Sequence, residues 1–394
     1  MHKIGSNMGI FRILATLMAC ILLLGGCRGT DSPSSLPESP VEDTDTPAPE
    51  LRGVWVSFLD LQTLLTGTDP ATAASALDGV MDTCRQQGLN TVFFHVRSHS
   101  DAWYQSALFP PTQEVAGLLK EGFDPLSYAV EAAHKRGLTL HAWINPYRIG
   151  TDPTRAVTKP EATFQKDGVW YYDPAHPAAR QAILAGVREV LDGYEVDGIH
   201  FDDYFYPEGM AAEAESFEDV PADTDPAVWR QTQVNALVSA VYGLVHSHGE
   251  RLFGVSPAGS PAACAAVYAD VATWLETPGY IDYLCPQIYF GFQHETHAFD
   301  RLLNTWTALP RREGVALYIG LAAYKVGLAD DPYAGTGRTE WADSHDVLAR
   351  QVTCLREGGA GGFVLFRYQH LTEDTDALGQ ERQALAACLN SHSD

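Results

Sequence analysis

Basic residues are scarce in this sequence. It contains 26 Lys and Arg residues against 50 Asp and Glu residues, which gives a formal net charge of −24 at pH 7. The few basic residues do not cluster, whereas proteins bind a nucleic-acid backbone through clustered Lys and Arg. Nucleic acid is therefore not expected as a partner, and an extracellular or cell-surface enzyme fits the composition better.

Cysteine patterns that indicate metals or cross-links are also missing. Beyond residue 50 the chain has five cysteines and no CxxC pair: Cys84, Cys264, Cys285, Cys354 and Cys388. A structural zinc site or a disulfide scaffold is therefore not expected, although a single bridge stays open. The first apolar run is not followed by a Gly-rich phosphate loop, and no other cofactor signature is present. The sequence thus predicts no cofactor.

The N-terminus carries a short apolar run, residues 13–24, that follows Lys3 and Arg12 and ends shortly before Cys27. This run is too short to span a membrane durably. The small residues before Cys27 resemble the lipobox of bacterial lipoproteins, in which the cysteine sulfur is lipidated after cleavage. We expect a signal peptide over 1–26 and a protein lipid-anchored to a bacterial membrane, outside the cytoplasm. An ordinary secretory signal with a chance Cys27 is the alternative.

Residues 27–50 are rich in Pro, Ser, Thr and acids and hold almost nothing apolar, which predicts a disordered linker. From residue 51 to 394, apolar runs alternate with amphipathic helical patterns, and eight runs can be counted: 53–58, 91–97, 138–145, 196–202, 252–256, 281–289, 316–321 and 362–367. Eight such repeats predict a single (β/α)8 TIM barrel of the α/β class. A doubly wound open sheet is the alternative fold.

Side chains alternate between the two faces of a strand, so the polar residues of these runs share one face. The apolar face must pack against the outer helices, which leaves the polar and aromatic residues facing the barrel axis: His95, Arg97, His141, Trp143, Asn145, His200, Asp202, Gln287 and Tyr289. Active sites of TIM barrels lie at the C-terminal ends of the strands. We therefore predict that these side chains meet at that end of the barrel.

Two adjacent acids stand out in residues 197–207, DGIHFDDYFYP. Asp202 ends an inward-facing column above His200, and Asp203 follows on the turn. We interpret Asp202 as the principal catalytic carboxylate and expect Asp203 to tune its protonation or to contact substrate. Two carboxyls this close cannot both ionise freely, so one should keep its proton toward neutral pH, as a general acid requires. A helix cap or a loop ion pair is the alternative for such an acid.

Five aromatic residues are expected at the same end of the barrel, namely Trp143, Tyr147, Tyr204, Tyr206 and Tyr289. A sugar ring stacks its apolar face on aromatic rings and offers hydroxyl groups to directional hydrogen-bond partners. Glycosidic bonds are commonly cut by a pair of carboxyls. The pattern therefore favours a carbohydrate substrate, bound by the aromatic rings together with the inward-facing His, Arg, Asn and Gln side chains.

Five motifs together resemble the family 10 glycosyl-hydrolase-like barrel proteins: LRGVW at 51–55, HAWINPY at 141–147, DGIHFDDYFYP at 197–207, VSP at 255–257 and PQIY at 286–289. The resemblance covers about residues 50–370. It implies a TIM barrel in a bacterial surface or periplasmic setting. It also implies a polysaccharide or cell-wall glycan as the partner, with hydrolysis of peptidoglycan strands as the expected reaction.

The chain departs from a more distant relative, the chitinase-type motif, because Tyr204 occupies the position of the acid donor there. A second carboxylate would then come from a loop, with Asp60, Asp101 and Glu208 as candidates. A substrate acetamido group could also act as the nucleophile. Two other functions stay open. One is a non-catalytic carbohydrate-binding lipoprotein, and the other is a metal-dependent polysaccharide deacetylase that uses the inward-facing histidines.

Overall fold

The computed structural model describes residues 49–203 and 205–391. The predicted signal peptide, the lipidation site at Cys27, most of the predicted linker and the ring of Tyr204 lie outside these residues. Those predictions therefore stay predictions. In the part of the chain that is described, no helix is both long enough and apolar enough to span a membrane.

Eight parallel strands close into a barrel in the order β1-β11-β10-β9-β8-β7-β3-β2. They are β1 Leu51–Val56, β2 Thr91–Arg97, β3 Thr139–Ile144, β7 Gly198–Phe201, β8 Leu252–Val255, β9 Tyr283–Leu284, β10 Ala316–Leu321 and β11 Gly362–Phe366. Each of the eight apolar runs supplies one strand. The predicted (β/α)8 barrel is confirmed.

The helices of the described chain surround this barrel. They are α1 Phe58–Leu65, α2 Pro70–Gln86, α3 Ala116–Lys120, α4 Pro125–His134, α5 Pro177–Gly193, α6 Pro226–His246, α7 Pro261–Ala266, α8 Val271–Glu276, α9 Phe299–Thr307, α10 Glu340–Asp343, α11 Val347–Glu357, α12 Gln369–Thr372 and α13 Asp376–Asn390. Three of the long ones, α2, α4 and α6, begin with an Asp cap followed by Pro. The Asp side chain accepts from free N–H groups of the first turn, and Pro already has a helical φ angle, so these helices start at defined residues.

A second, three-stranded antiparallel sheet follows β3 and was not predicted from the sequence. It consists of β4 Arg148–Gly150, β5 Thr163–Lys166 and β6 Val169–Tyr172. Asp167 and Gly168 join β5 to β6, and both have positive φ angles, 50° and 82°. An Asp-Gly pair is a strong signal for a two-residue hairpin. The sequence therefore contained a signal for this hairpin, which our strand count overlooked.

The barrel interior is filled by large side chains from alternate strand positions, including Trp55, Phe93, Trp143 and Tyr283. The outward-facing positions pack under the helices as predicted, with Ile199 among them. The alternation of faces therefore holds for most strands, and it places polar residues on the axis.

The prediction that Arg97 faces the axis is wrong. The pairing of β2 with β3 shifts register between His95 and Arg97, and such an irregularity changes the face to which the following side chains point. The guanidinium of Arg97 stacks on the Phe109 ring at 3.9 Å. It lies so close to Gly186 of α5 that a Cβ there would clash with it. Arg97 is therefore buried between the strand and the helix layer.

Candidate active site

A cavity of about 310 Å³ opens at the C-terminal end of the barrel strands, and we call it the mouth cavity. Its lining consists of Trp55, Ser57, Phe58, Leu59, His95, Trp143, Asn145, Arg148, Asp202, Asp203, Ser256, Gln287, Tyr289 and Phe366. Half of these residues were predicted from the sequence, including the adjacent acids Asp202 and Asp203. The structure thus brings the two acids together with aromatic rings and amide groups in one cavity.

Asp202 follows the last residue of β7 and is almost fully buried, with 2% of its surface exposed. Its Oδ2 accepts a hydrogen bond from Nε1 of Trp143 at 3.2 Å. The Trp143 ring is itself held by a parallel stack on His95, with ring centroids 3.7 Å apart. Strand β3 therefore fixes the orientation of the Asp202 carboxylate and supplies a donor that stabilises negative charge on it.

Asp203 is an acid whose pKa is raised. Burial raises the pKa of its carboxyl from 3.8 to about 6, and the nearby Glu208 raises it further, while a hydrogen bond with the Gln287 side chain acts in the opposite direction. A carboxyl with a pKa near the working pH can donate a proton and recover it. Asp203 is therefore suited to general acid catalysis. The sequence alone did not show which of the two acids has this role.

His95 and Asn145 both line this cavity. Nδ1 of His95 accepts from the backbone N–H of Phe58 at 3.3 Å, which leaves the proton on Nε2. Nδ2 of Asn145 donates to the Ser98 carbonyl at 3.0 Å. Nε2 of His95 and Oδ1 of Asn145 make no hydrogen bond of good geometry with the residues described. Burial keeps the pKa of His95 well below 6.5, so the ring is neutral, while a hydrogen bond with the Asn145 side chain acts in the opposite direction. The His95 and Asn145 side chains therefore interact with each other at the wall of the cavity.

His141 and His200 lie beneath the mouth cavity and do not line it. Nε2 of His200 accepts from Nε1 of Trp55 at 3.1 Å, and Nδ1 of His200 lies 3.0 Å from the Tyr283 hydroxyl. Nδ1 of His141 lies 2.9 Å from the same hydroxyl. Burial lowers the pKa of both rings, that of His141 to about 4. These two histidines therefore support the cavity floor as neutral members of a hydrogen-bonded chain.

A metal-dependent reaction would need a cluster of ligands. Across residues 49–203 and 205–391, no group of three or more His, Cys, Asp or Glu side chains is arranged to hold a metal ion. The deacetylase alternative therefore has no ligand set in this part of the chain.

Two tyrosines predicted to contact sugar lie elsewhere. Tyr147 is buried in the outer core, with 1% of its surface exposed, because its position lies beyond the end of β3 where the strand alternation no longer applies. Tyr206 lines a neighbouring cavity of about 340 Å³ together with Asp203 and Glu208. The prediction that these rings face the mouth cavity is wrong for both.

The three loop acids considered as the second carboxylate do not line the mouth cavity. Asp60 accepts from the Ser57 backbone N–H at 2.8 Å and pairs with Arg367, so its oxygens are occupied. Asp101 lines another cavity beside the mouth cavity. Glu208 lines the same neighbouring cavity as Tyr206, together with Asp203. Asp202 and Asp203 are therefore the acids that share the mouth cavity.

Sequence analysis missed several lining residues, most of which lie at the C-terminal end of a barrel strand or within three residues of it. Ser57 and Phe58 follow β1, Ser256 follows β8, and Phe366 ends β11. Trp55, an inward residue of β1, forms part of the floor. The same rule that identified Asp202, that strand ends meet at the mouth of a barrel, would have identified them.

Comparison with known proteins gives consistent matches. Residues 50–334 match the family described as Glycosyl hydrolase-like 10. Glycosyl hydrolase DigH of Escherichia coli is 31% identical over 365 residues, which cover 79% of this chain and 83% of that protein. Glycosyl hydrolase YngK of Bacillus subtilis is 32% identical over 344 residues, which cover 78% of this chain and 66% of that protein.

Among solved structures, the glycoside hydrolase domain of PgaB (BpsB) from Bordetella bronchiseptica has a TM-score of 0.56 at 14% identity, and the match covers 86% of this chain and 99% of that one. A likeness at such low identity supports the barrel fold. The family match extends over most of the barrel, and it confirms the resemblance drawn from the five motifs. The chain belongs to the glycosyl hydrolase-like 10 family and is a glycoside hydrolase.

Proposed function

We propose that this enzyme hydrolyses glycosidic bonds in a bacterial surface glycan, with peptidoglycan strands as the substrate, and that Asp202 and Asp203 carry the reaction. The observation that supports the proposal most is the difference between the two acids within one cavity. Asp202 accepts a hydrogen bond from the Trp143 indole, whereas burial raises the pKa of Asp203 to about 6. Acid-assisted glycoside cleavage requires a carboxyl that can donate a proton, and its raised pKa suits Asp203 to that role.

In this mechanism the protonated Asp203 donates its proton to the glycosidic oxygen as the bond from that oxygen to the anomeric carbon breaks. The departing sugar leaves with a new hydroxyl group. Asp202 faces the positive charge that develops on the anomeric carbon and stabilises it. Water supplies the hydroxyl that completes the hydrolysis, and its remaining proton restores Asp203. The rings of Tyr289 and Phe366 line the same cavity and offer surfaces on which a sugar can stack.

The direct test is release of reducing ends from purified, peptide-free bacterial glycan strands. We expect the wild-type enzyme to release them at a rate that depends on enzyme concentration. A parallel panel of starch, cellulose and mannan separates the two parts of the proposal. Release from the panel alone would contradict the peptidoglycan assignment, and release from no polysaccharide by folded enzyme would contradict hydrolysis itself.

We also propose that Cys27 anchors the enzyme to a membrane through lipid. The LGGC segment before and at this cysteine supports the proposal, and more than one acyl chain makes attachment stable where a single chain is marginal. The full-length protein should sediment with membranes, and Cys27→Ala should lose that attachment. Recovery of intact wild-type protein in the soluble fraction would contradict the proposal.

A further inference from the structure

The connection between β7 and α6, residues 202–225, carries both acids of the mouth cavity, and we call it the acid loop. It contains neither helix nor strand among its described residues, and it is much longer than most connections in compact domains. Asp203 lines two cavities, the mouth cavity and the neighbouring cavity that Glu208 also lines. The loop therefore needs contacts with other elements to keep Asp203 and Glu208 at fixed positions.

Arg230, in the second turn of α6, supplies such contacts. Its side chain is fully buried, and all five N–H groups of its guanidinium donate hydrogen bonds. Nε and Nη2 donate to the two carboxylate oxygens of Glu218, at 2.8 and 2.6 Å. Nη1 donates to the Ala211 carbonyl at 2.7 Å, and Nη2 to the Glu213 carbonyl at 3.0 Å. One side chain thus attaches three points of the acid loop to α6.

The remaining hydrogen bond reaches a tyrosine that contacts an earlier part of the loop. Nη1 of Arg230 donates to the Tyr268 hydroxyl at 2.6 Å, and the guanidinium lies 5.0 Å from the centroid of the Tyr268 ring. That ring makes an edge contact with Tyr206, at 5.3 Å between centroids. Tyr206 precedes Glu208 in the chain, and Ala211 follows it. Arg230 therefore holds the loop on both sides of that acid.

The position of the acid loop determines the surroundings of Asp203. Burial raises the pKa of its carboxyl, and the charge of Glu208 raises it further. Both causes depend on where the loop lies. If the loop moved away from the barrel, water would reach Asp203 and Glu208 would lie farther from it. Either change would lower the pKa of Asp203 toward its ordinary value.

Several elements bring other titratable or charged groups to Asp203. They are Asp202 on the same loop, His95 of β2, Arg148 of β4, Tyr289 after β9, Cys264 of α7, Tyr206 on the same loop, and Lys166, Asp167 and Tyr171 of the β5–β6 hairpin. Arg230 donates to none of these groups, and it lines neither cavity. Any influence of Arg230 on the acid therefore passes through the loop.

We infer that Arg230 is a positioning residue for the acid of the reaction: it holds the acid loop so that Asp203 stays enclosed beside Glu208. The inference rests on the proposed function, because it assigns Arg230 a role in the reaction that Asp203 carries. Lys cannot take this role, since an ammonium group has three N–H donors and lacks the planar fork that matches a carboxylate.

Arg230→Met tests the inference by the direction of a pH shift. Met keeps much of the length of the side chain and makes none of the five hydrogen bonds. If Arg230 acted on Asp203 through its charge, removing the charge would raise the pKa of Asp203. If Arg230 holds the loop, its removal lowers this pKa. We expect the decline of kcat/KM on glycan strands, near pH 6 in the wild-type enzyme, to move down by about one pH unit.

This shift also predicts how the loss of activity depends on pH. At about pH 7, kcat/KM of Arg230→Met should fall about tenfold, because a tenfold smaller fraction of Asp203 is then protonated. At about pH 4 the loss should be much smaller. Arg230→Met leaves Glu218 buried without its cation, which can prevent folding. The double variant Arg230→Met/Glu218→Leu leaves no buried charge, still lacks the bonds to the loop, and should show the same shift.

Arg251→Met is the matched control. Arg251 lies directly before β8, at the opposite end of the barrel from the mouth cavity, and also donates to backbone carbonyls. These belong to Val196, at 3.0 Å, and to Leu191, at 3.2 Å. The control should unfold at a lower temperature and keep its decline in kcat/KM near pH 6. An equal downward shift in the control would show that the pH profile follows general loss of stability, and the inference would be overturned.

A measurement without substrate separates the inference from the proposed function. The unfolding temperature of each protein is compared with that of its own Asp203→Asn derivative. In the wild-type protein the difference should change as pH rises and level off near pH 6, where Asp203 has lost its proton. In Arg230→Met and the double variant it should change less and level off at lower pH. If the levelling stays near pH 6 or moves up, the inference is overturned. If it moves down but no glycan is cleaved, the placement of Asp203 by Arg230 stands and the proposed hydrolysis fails.

Discussion

Two histidines that face the barrel axis have opposite surroundings. His200, below the mouth cavity, is bonded through both ring nitrogens, to Trp55 and Ser256 on one side and to Tyr283 on the other. His95, at the mouth cavity, uses Nδ1 for the Phe58 backbone, whereas its Nε2 makes no hydrogen bond of good geometry and the ring has only an interaction with the Asn145 side chain besides. Both rings are buried, and burial lowers the pKa of each well below 6.5.

The difference shows how to separate structural from functional polar groups in this barrel. A buried polar group whose hydrogen bonds are all made within the protein stabilises the fold. A buried group that lines a cavity and lacks a partner lowers stability unless a ligand completes it. The interior around Tyr283 belongs to the first kind, whereas the mouth cavity is lined by side chains whose hydrogen bonds are less complete. Substitutions in the two regions should therefore affect different measurements.

The largest effect is expected for Asp202→Asn at the mouth cavity. Asn keeps the size and can still accept from Trp143, but it cannot carry negative charge. We expect kcat on glycan strands to fall by at least about 10²-fold, with KM little changed. Reducing-end assays over a range of substrate concentrations measure both constants. A variant that turns over near the wild-type rate would refute the assignment of Asp202.

Asp203→Asn should cost less than Asp202→Asn at low pH and should change the pH profile. In the wild-type enzyme kcat/KM should decline as pH rises through about 6, because the Asp203 carboxyl, with a pKa raised to that value by burial, then loses its proton. The variant should be about 10-fold to 10²-fold slower and lack this decline. If the decline persists in Asp203→Asn, another group is the acid.

The pH dependence of the protein's stability provides a second test of Asp203. Because folding raises the pKa of Asp203 from 3.8 to about 6, its contribution to stability is fully present below pH 3.8 and is lost as pH rises through about 6. The unfolding temperature of the wild-type protein, compared with that of Asp203→Asn, should therefore fall across this range.

His95→Asn tests whether Nε2 of His95 donates a hydrogen bond to the substrate. The Asn oxygen can replace Nδ1 as acceptor for the Phe58 N–H, while the donor at Nε2 and the stack on Trp143 are lost. We expect kcat/KM on glycan strands to fall at least about tenfold, because the variant loses both the donor at Nε2 and the stack that holds Trp143 against Asp202. Wild-type kinetics in this variant would show that Nε2 does not meet the substrate.

Tyr283→Phe, in the interior, should have the smallest effect on catalysis. Removing the hydroxyl leaves Nδ1 of both His141 and His200 without its partner, which should lower the free energy of unfolding by about 1–3 kcal/mol. Denaturant unfolding measures this loss, and kcat/KM should change little. Tyr318→Phe is the matched control, because its hydroxyl makes no hydrogen bond within residues 49–203 and 205–391. Equal stability of the two variants would contradict the structural role of Tyr283.

Periodicity accounts for what could be predicted of the site. Inward and outward positions alternate along each strand, so His95, Trp143, Asn145, Asp202, Gln287 and Tyr289 could be placed on the axis from the sequence. The same rule failed at Arg97, where the register of β2 shifts after His95. It also failed at Tyr147, which lies past the end of β3, because residues outside a strand have no fixed alternation.

By itself, the sequence determined the eightfold alternation of strands and helices and the end of the barrel at which Asp202 and Asp203 lie. Both follow from local properties, the spacing of apolar residues and the two-residue period of a strand. Tertiary structure alone decided that the pKa of Asp203 is raised and which buried polar atoms lack a partner. The pKa of Asp203 depends on burial and on Glu208 and Gln287. The incomplete hydrogen bonding of His95 depends on which chain segments pack around it, and such contacts between distant residues are not encoded in any local pattern.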